Sequence, residues 1–201
     1  DMYRYMIEHP DWLPKEGKEE LLPHYRLGED RGRIYRVVRE GTKGKTALKL
    51  DQLDTAGLVA ALDSPNDWQR DKVQQLLLWK NDPKAAPLLE KLFETSARPQ
   101  TRLQAIYMLD GPKSLSSTTL VKALADAHPR VRENAIRLAE SRDDEELISA
   151  AAKLASDADA KVRLQLALSC GQWKSEKLAE ALAEIAARDA EDPLMVAAVM
   201  S

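Results

Sequence analysis

The sequence predicts an all-α protein: an α-solenoid of about five stacked helical hairpins behind a short irregular or β-like N-terminal appendage. Arginine recurs at Arg70, Arg102, Arg132 and Arg163, at separations of 32, 30 and 31 residues, and apolar Val73, Ala105, Ala135 or Leu166 comes three residues after each. A period of that length marks stacked two-helix units, because one such unit cannot bury its apolar face alone. The composition agrees: 44% of residues are hydrophobic but only 5% aromatic, with a single Phe. An apolar content dominated by Ala and Leu suits helix packed on helix better than a β-sandwich.

In chain order, residues 1–45 differ in character from the rest of the chain. They hold Tyr3, Tyr5, Trp12, Tyr25 and Tyr35, and Pro10 and Pro14 punctuate an irregular connection. Asp1 to Glu8 and Arg31 to Val38 have strand-like propensity; in the second run Ile34, Arg36 and Val38 share one face. The stretch from Met2 to Ile7 is equally compatible with one or two helical turns. Two short strands do not form a stable sheet alone, so this region is expected to complete something else. Gly41 to Lys45 is polar and Gly/Lys-rich, the best linker in the chain.

Residues 46–201 are expected to form the solenoid, with units at about 55–82, 83–114, 115–145, 146–176 and 177–201. Each has an apolar first helix (Leu120, Ala123 and Leu124 in one, Leu147, Ala151 and Leu154 in the next), and in the first four units a second helix carries the recurrent arginine. The turn between them is the sharper signal. Asp126 precedes Arg132 by six residues, as Asp157 precedes Arg163. An Asp beside a helix N-terminus meets the positive end of the helix dipole and satisfies free N–H groups.

This turn resembles the HEAT-repeat signature, whose Asp and Arg form a ladder of charge-assisted bonds between neighbouring units. The resemblance implies ladder roles for Asp126, Arg132, Asp157, Arg163, Arg102 and Arg70. Ser64 and Ser96 hold the Asp place in the first two units, so the ladder is expected to weaken toward the N-terminus. In the last unit Asp189 persists but Met195 replaces Arg, as in a terminal or incomplete repeat.

More specific wording stands at Asp1-Met2-Tyr3-Arg4, at Ile7-Glu8-His9-Pro10-Asp11-Trp12-Leu13-Pro14 and at Gly32-Arg33-Ile34-Tyr35-Arg36. Ser64-Pro65-Asn66-Asp67-Trp68-Gln69-Arg70-Asp71 and Leu109-Asp110-Gly111 continue the series. Together they resemble the middle of the membrane-bound dehydrogenases best known from planctomycetes and verrucomicrobia. That family carries a sugar-dehydrogenase-like β-propeller, then HEAT repeats, then a cytochrome c-like haem domain. The resemblance implies that residues 1–45 close the propeller and lead into the repeats, with the flanking propeller and haem domains as partners. It also implies a periplasmic or cell-envelope location.

No catalytic or cofactor site is expected within the sequence itself. A covalent c-type haem needs Cys-x-x-Cys-His, and Cys170 is the single cysteine. His9, His24 and His128 lack the spacing of a helical metal site and are assigned structural or surface roles. Cys170, beside Leu166 and Ala167, is expected to be a buried small hydrophobe. Ser116-Ser117-Thr118-Thr119 and the acidic run Asp143-Asp144-Glu145-Glu146 are assigned to helix N-termini rather than to a nucleophile or calcium site. Gly41-Thr42-Lys43-Gly44-Lys45 lacks the strand-to-helix context of a phosphate loop.

Trp68, Arg70 and Asp71 form the candidate interface. An aromatic there seals the open end of the stack, packs on the preceding domain, or anchors another protein. The near balance of 30 basic and 33 acidic residues, net −3, argues against nucleic-acid binding. No apolar run approaches the roughly 20 residues of a membrane span. Three readings stay open: a non-catalytic scaffold joining flanking domains, a standalone protein-interaction module, and part of a sugar or alcohol dehydrogenase whose active site lies elsewhere.

Overall fold

The structure, a computed structural model, describes residues 3–7, 9–35, 37–41 and 48–201. The chain divides into two compact units, residues 1–48 and 49–201.

In the first unit a 3-10 turn at Pro10–Trp12 leads into a short helix, α1 (Lys15–Leu21), and a second 3-10 turn at Leu22–His24. The Tyr5 N–H donates to the Leu27 carbonyl at 2.9 Å. The Arg4 guanidinium lies 4.6 Å from the Tyr25 ring centroid, and that of Arg33 lies 5.0 Å from Tyr3. Gly28 takes φ +81°, where a Cβ would sit 2.1 Å from the Tyr3 carbonyl oxygen, so the close pass of chain there requires glycine. The strand-like propensity of Arg31 to Val38 is not realised: no described residue lies in a strand. A short extended run outside a sheet ladder remains irregular. Asp1, Met2, Glu8 and Arg36 of the strand-like runs, and Thr42 to Lys45 of the linker, lie outside the described residues. No described residue of 1–48 is buried.

The second unit is a run of five helical hairpins, an α-solenoid. They are α2 (Thr55–Ala61) with α3 (Asp67–Lys80), α4 (Ala85–Thr95) with α5 (Pro99–Asp110), and α6 (Ser117–Leu124) with α7 (Pro129–Ala139). The last two are α8 (Glu145–Ala152) with α9 (Ala160–Ser169), and α10 (Glu176–Arg188) with α11 (Pro193–Met200). Second helices stack on one another in the order α3, α5, α7, α9, α11, while α2 packs on α4, α6 on α8 and α8 on α10.

Helix starts follow from capping chemistry. Asp54, Asn66, Ser116, Asp144, Asp159 and Asp192 each accept a first-turn N–H through the side chain, satisfying donors that the helix leaves open. Proline opens α5, α7 and α11, where a missing N–H costs nothing. At the other end of α3, Asn81 adopts the left-handed conformation, φ 45° and ψ 42°, and closes the helix.

The residue three positions beyond the recurrent arginine slot is buried in every unit: Val73, Ala105, Ala135, Leu166 and Ala198. The alanines among them let second helices approach closely, and Leu62, Ile106, Leu120, Ile136, Leu147 and Ile185 fill the space between hairpins. Each such large side chain contributes roughly 1.5–3 kcal/mol by leaving water. The core is therefore a continuous seam shared by neighbouring units.

Candidate functional site

The recurrent arginines point along the stack. Arg102 donates from Nε and Nη2 to both carboxylate oxygens of Asp126, at 2.7 and 2.6 Å. Arg132 grips Asp157 in the same fork at 2.7 Å for both bonds, and Arg163 grips Asp189 at 2.7 and 2.6 Å. Each arginine therefore bonds the turn of the following hairpin. Its Nη1 turns back to its own hairpin, donating to the carbonyl six residues earlier: Ser96 for Arg102, Asp126 for Arg132 and Asp157 for Arg163. Asp126 and Asp157 also accept the N–H two residues on, from His128 and Asp159, at 2.8 and 2.9 Å. One aspartate thus shapes its own turn and holds the neighbouring unit.

These groups are largely shielded from water; Asp157 and Asp126 are only 5% and 7% exposed at the side chain. Burial alone would raise the Asp126 and Asp157 carboxyls, but the paired guanidinium and the turn N–H outweigh it and hold both below the ordinary value. For Asp189 the Arg163 hydrogen bonds are the largest influence, and they too lower it.

The ladder changes character at its N-terminal end. Arg70 lacks an aspartate partner and donates to Gln104 Oε1 at 3.1 Å and to the Ser64 carbonyl at 2.9 Å. Ser96, in the Asp place of the second unit, donates instead to Asp63 Oδ1 at 2.8 Å, and Thr101 donates to the same oxygen at 3.0 Å. At the C-terminal end Met195 fills the arginine slot and is buried, while Leu194, Val196 and Met200 on α11 are exposed.

Trp68, Arg70 and Asp71 share α3 but not one environment. Arg70 belongs to the ladder, and Asp71 accepts from Gln104 Nε2 at 3.2 Å. Trp68 stands clear, 63% exposed, as does Trp79 at 72% on the last turn of the helix. Trp79 is an exposed aromatic that the repeat pattern did not single out. Beside it lies a shallow depression of about 360 Å³ lined by Asp71, Lys72, Gln74, Gln75, Leu78 and Trp79. A larger groove of about 580 Å³ runs between the ends of α3 and α5, walled by Leu77, Leu89, Met108 and Pro112 among others.

Several cross-unit bonds carry no sequence motif. Arg142 donates to the Leu115 carbonyl at 2.7 Å and to Asp110 at 3.2 Å, and its own carbonyl accepts the Trp173 indole N–H at 2.8 Å. Buried Ser169 donates to Glu140 at 2.5 Å, and Gln165 accepts from Arg137 at 2.6 Å. Arg142 follows Asp110 by 32 residues, about one repeat period, as expected of residues on neighbouring units.

The remaining reactive side chains serve the helices and the core. His128 caps α7, its Nδ1 accepting the Arg130 N–H at 3.2 Å. Ser116 caps α6 and Asp144 caps α8. Cys170 is buried, and burial pushes its thiol up to about 11. Among the described residues no cluster of three or more His, Cys, Asp or Glu side chains could hold a metal ion, and no helix is long and apolar enough to cross a membrane.

Residues 1–41 match the model of a family described as a domain of unknown function (DUF7133). No curated protein matches the chain. No solved structure matches it either. Residues 117–201 match the HEAT repeats family model, a span that contains the Arg132–Asp157 and Arg163–Asp189 forks whole. The solenoid thus includes a HEAT-like repeat segment.

Proposed function

We propose that the chain is a non-catalytic HEAT-repeat scaffold within a larger dehydrogenase-like protein, holding a propeller and a haem domain apart at fixed separation. The observation that carries this reading is the ladder. Three bidentate Arg–Asp forks, each shielded from water and anchored to a turn, fix every hairpin from the second to the fifth on its neighbour. Bonds of that geometry resist hinge motion between units, as a spacer requires. The aromatic N-terminal unit, with no buried side chain among its described residues, has the character of a segment that completes another domain. In this reading the chain holds no cofactor and no active site of its own, binds no nucleic acid, and lies in the periplasm or cell envelope with its parent.

A second reading, a standalone protein-interaction module, is favoured by the exposed Trp68 and Trp79. The full reading frame separates the two: the scaffold reading requires a propeller before Asp1 and Cys-x-x-Cys-His after Ser201. Assay of the purified chain with haem, quinones and sugars tests the non-catalytic assignment. Haem or quinone bound in stoichiometric amount, or turnover by the chain alone, would overturn it.

A further inference from the structure

The loops after α7 and α9 both reach back toward the preceding hairpin. Arg142, ten residues beyond Arg132, bonds the Leu115 carbonyl and Asp110. Trp173, ten residues beyond Arg163, is 6% exposed and donates its indole N–H to the Arg142 carbonyl at 2.8 Å. The two side chains hold one position in the repeat, since each also lies two residues before the N-cap of the next helix, Asp144 or Ser175. After α5 the loop is two residues longer: Arg102 stands fourteen residues before the N-cap Ser116, where Arg132 and Arg163 stand twelve before theirs. The same position therefore falls on Pro112 counted from the helix before, and on Ser114 counted from the helix after. Neither side chain can do what Trp173 does, for proline has no donor and serine no bulk. Both line the groove of about 580 Å³ between the ends of α3 and α5. The groove is thus the place that Trp173 fills two boundaries further on, left open at the first.

The chain's own filler states the chemistry of the occupant. We propose that the groove docks a tryptophan side chain of a partner polypeptide, its ring against Leu77, Leu89 and Met108 and its N–H directed to the carbonyls that end α3. Those three walls are apolar and buried, and the Met108 thioether suits the edge of an aromatic ring. Lys80, ten residues beyond Arg70, stands in unit 1 where Arg142 stands in unit 3, and the last carbonyls of a helix have no partner within it. Leu78 also lines the groove and is more than half exposed, so the groove opens to solvent and a ring can enter from outside. The volume falls in the range of about 300–1,000 Å³ usual for ligand sites and leaves room for residues flanking the tryptophan. Tryptophan is a favoured interface anchor, with a large apolar body and one polar edge. The site stands apart from the spacer reading, which needs no partner here and survives the failure of this one.

The test is titration of the full 201-residue chain with N-acetyl-tryptophanamide to about 10 mM, followed by NMR of the Met108 methyl group. A saturable shift is expected, with Kd on the order of 1 mM for so small a probe. The 1-methylindole analogue, which has no N–H, and N-acetyl-leucinamide each bind about fivefold more weakly or worse. Leu78→Asp weakens binding about fivefold with unchanged helical circular dichroism, because the side chain it replaces is exposed. Pro112→Trp and Ser114→Trp supply the filler from within, and at least one of them abolishes the shift and raises the melting temperature. Absence of a saturable shift in the wild type would overturn the proposal, as would leucinamide binding as tightly as the tryptophan probe. So would binding undiminished in Leu78→Asp and in both tryptophan variants.

Discussion

Arg132 holds Asp157 with two parallel N–H···O bonds of 2.7 Å while its remaining nitrogen bonds the Asp126 carbonyl. Asp126 is in turn held by Arg102, and Asp157 shares its unit with Arg163, which holds Asp189. The chain of contacts is directional: each unit offers its arginine forward and its aspartate backward. Opposite charges therefore meet at each of these boundaries, and the near-zero net charge of the whole chain arises in part from them.

The ladder predicts a graded cost of truncation. Arg163→Ala and Arg102→Ala each leave a shielded carboxylate without its partner, a loss of about 3–5 kcal/mol. Arg70→Ala removes bonds to neutral groups, Gln104 and the Ser64 carbonyl, and costs about 1 kcal/mol. Urea unfolding of the three variants measures the ordering, and equal costs would show that the aspartates contribute nothing special.

Restoring the missing aspartate in the second unit is expected to fail. Ser96 is buried and donates to Asp63, so Ser96→Asp places a second carboxylate against the first. The variant loses about 2 kcal/mol despite matching the repeat pattern. Adding Asp63→Asn relieves much of that loss. Thermal melts of the single and double variants check this, and a stabilised Ser96→Asp would refute it.

Acid should dissolve the ladder from the carboxylate side. Asp126, Asp157 and Asp189 are held below their ordinary value near 3.8. A carboxyl lowered in the folded state contributes stability that is fully present above its unfolded value and is lost as pH falls through the folded one. The destabilisation caused by Arg163→Ala is thus expected to be full at about pH 7 and to shrink below about pH 4, where Asp189 takes up its proton. Unfolding free energies of both proteins across that range decide it; a cost independent of pH would rule out the charged pair.

Cys170 gives a local readout. It lies on the short 3-10 continuation of α9 and is 6% exposed, with its thiol pushed up to about 11 by burial. A disulfide reagent at about pH 8 is expected to label it slowly in the folded chain and at once in denaturant. Rapid native labelling would mean that the fourth hairpin opens freely.

The sequence carries the fold because the features that build it repeat. Arg102, Arg132 and Arg163 recur at one period, and Asp126 and Asp157 stand at one offset, so both the hairpins and the charged residues are visible before any geometry. The direction of the bonds is less legible, since Asp126 lies six residues from Arg132 yet is bonded through its side chain by Arg102. The bonds Arg142–Asp110, Trp173–Arg142 and Ser169–Glu140 are each made at a single boundary, so they form no recurring series such as the one that marks the ladder arginines. Strand propensity in Arg31 to Val38 misleads for another reason: a strand needs a neighbour, and none of the described residues supplies one.

The most direct test of the ladder as the element that fixes neighbouring hairpins is a double-mutant cycle at Arg132 and Asp157. Unfolding free energies are measured for the wild type, Arg132→Ala, Asp157→Ala and the double variant. Because the pair is bidentate and shielded, the coupling is expected to be about 2–3 kcal/mol, with the double variant losing well under the sum of the singles. A coupling within error of zero would contradict the account, leaving the apolar seam alone to hold the stack together.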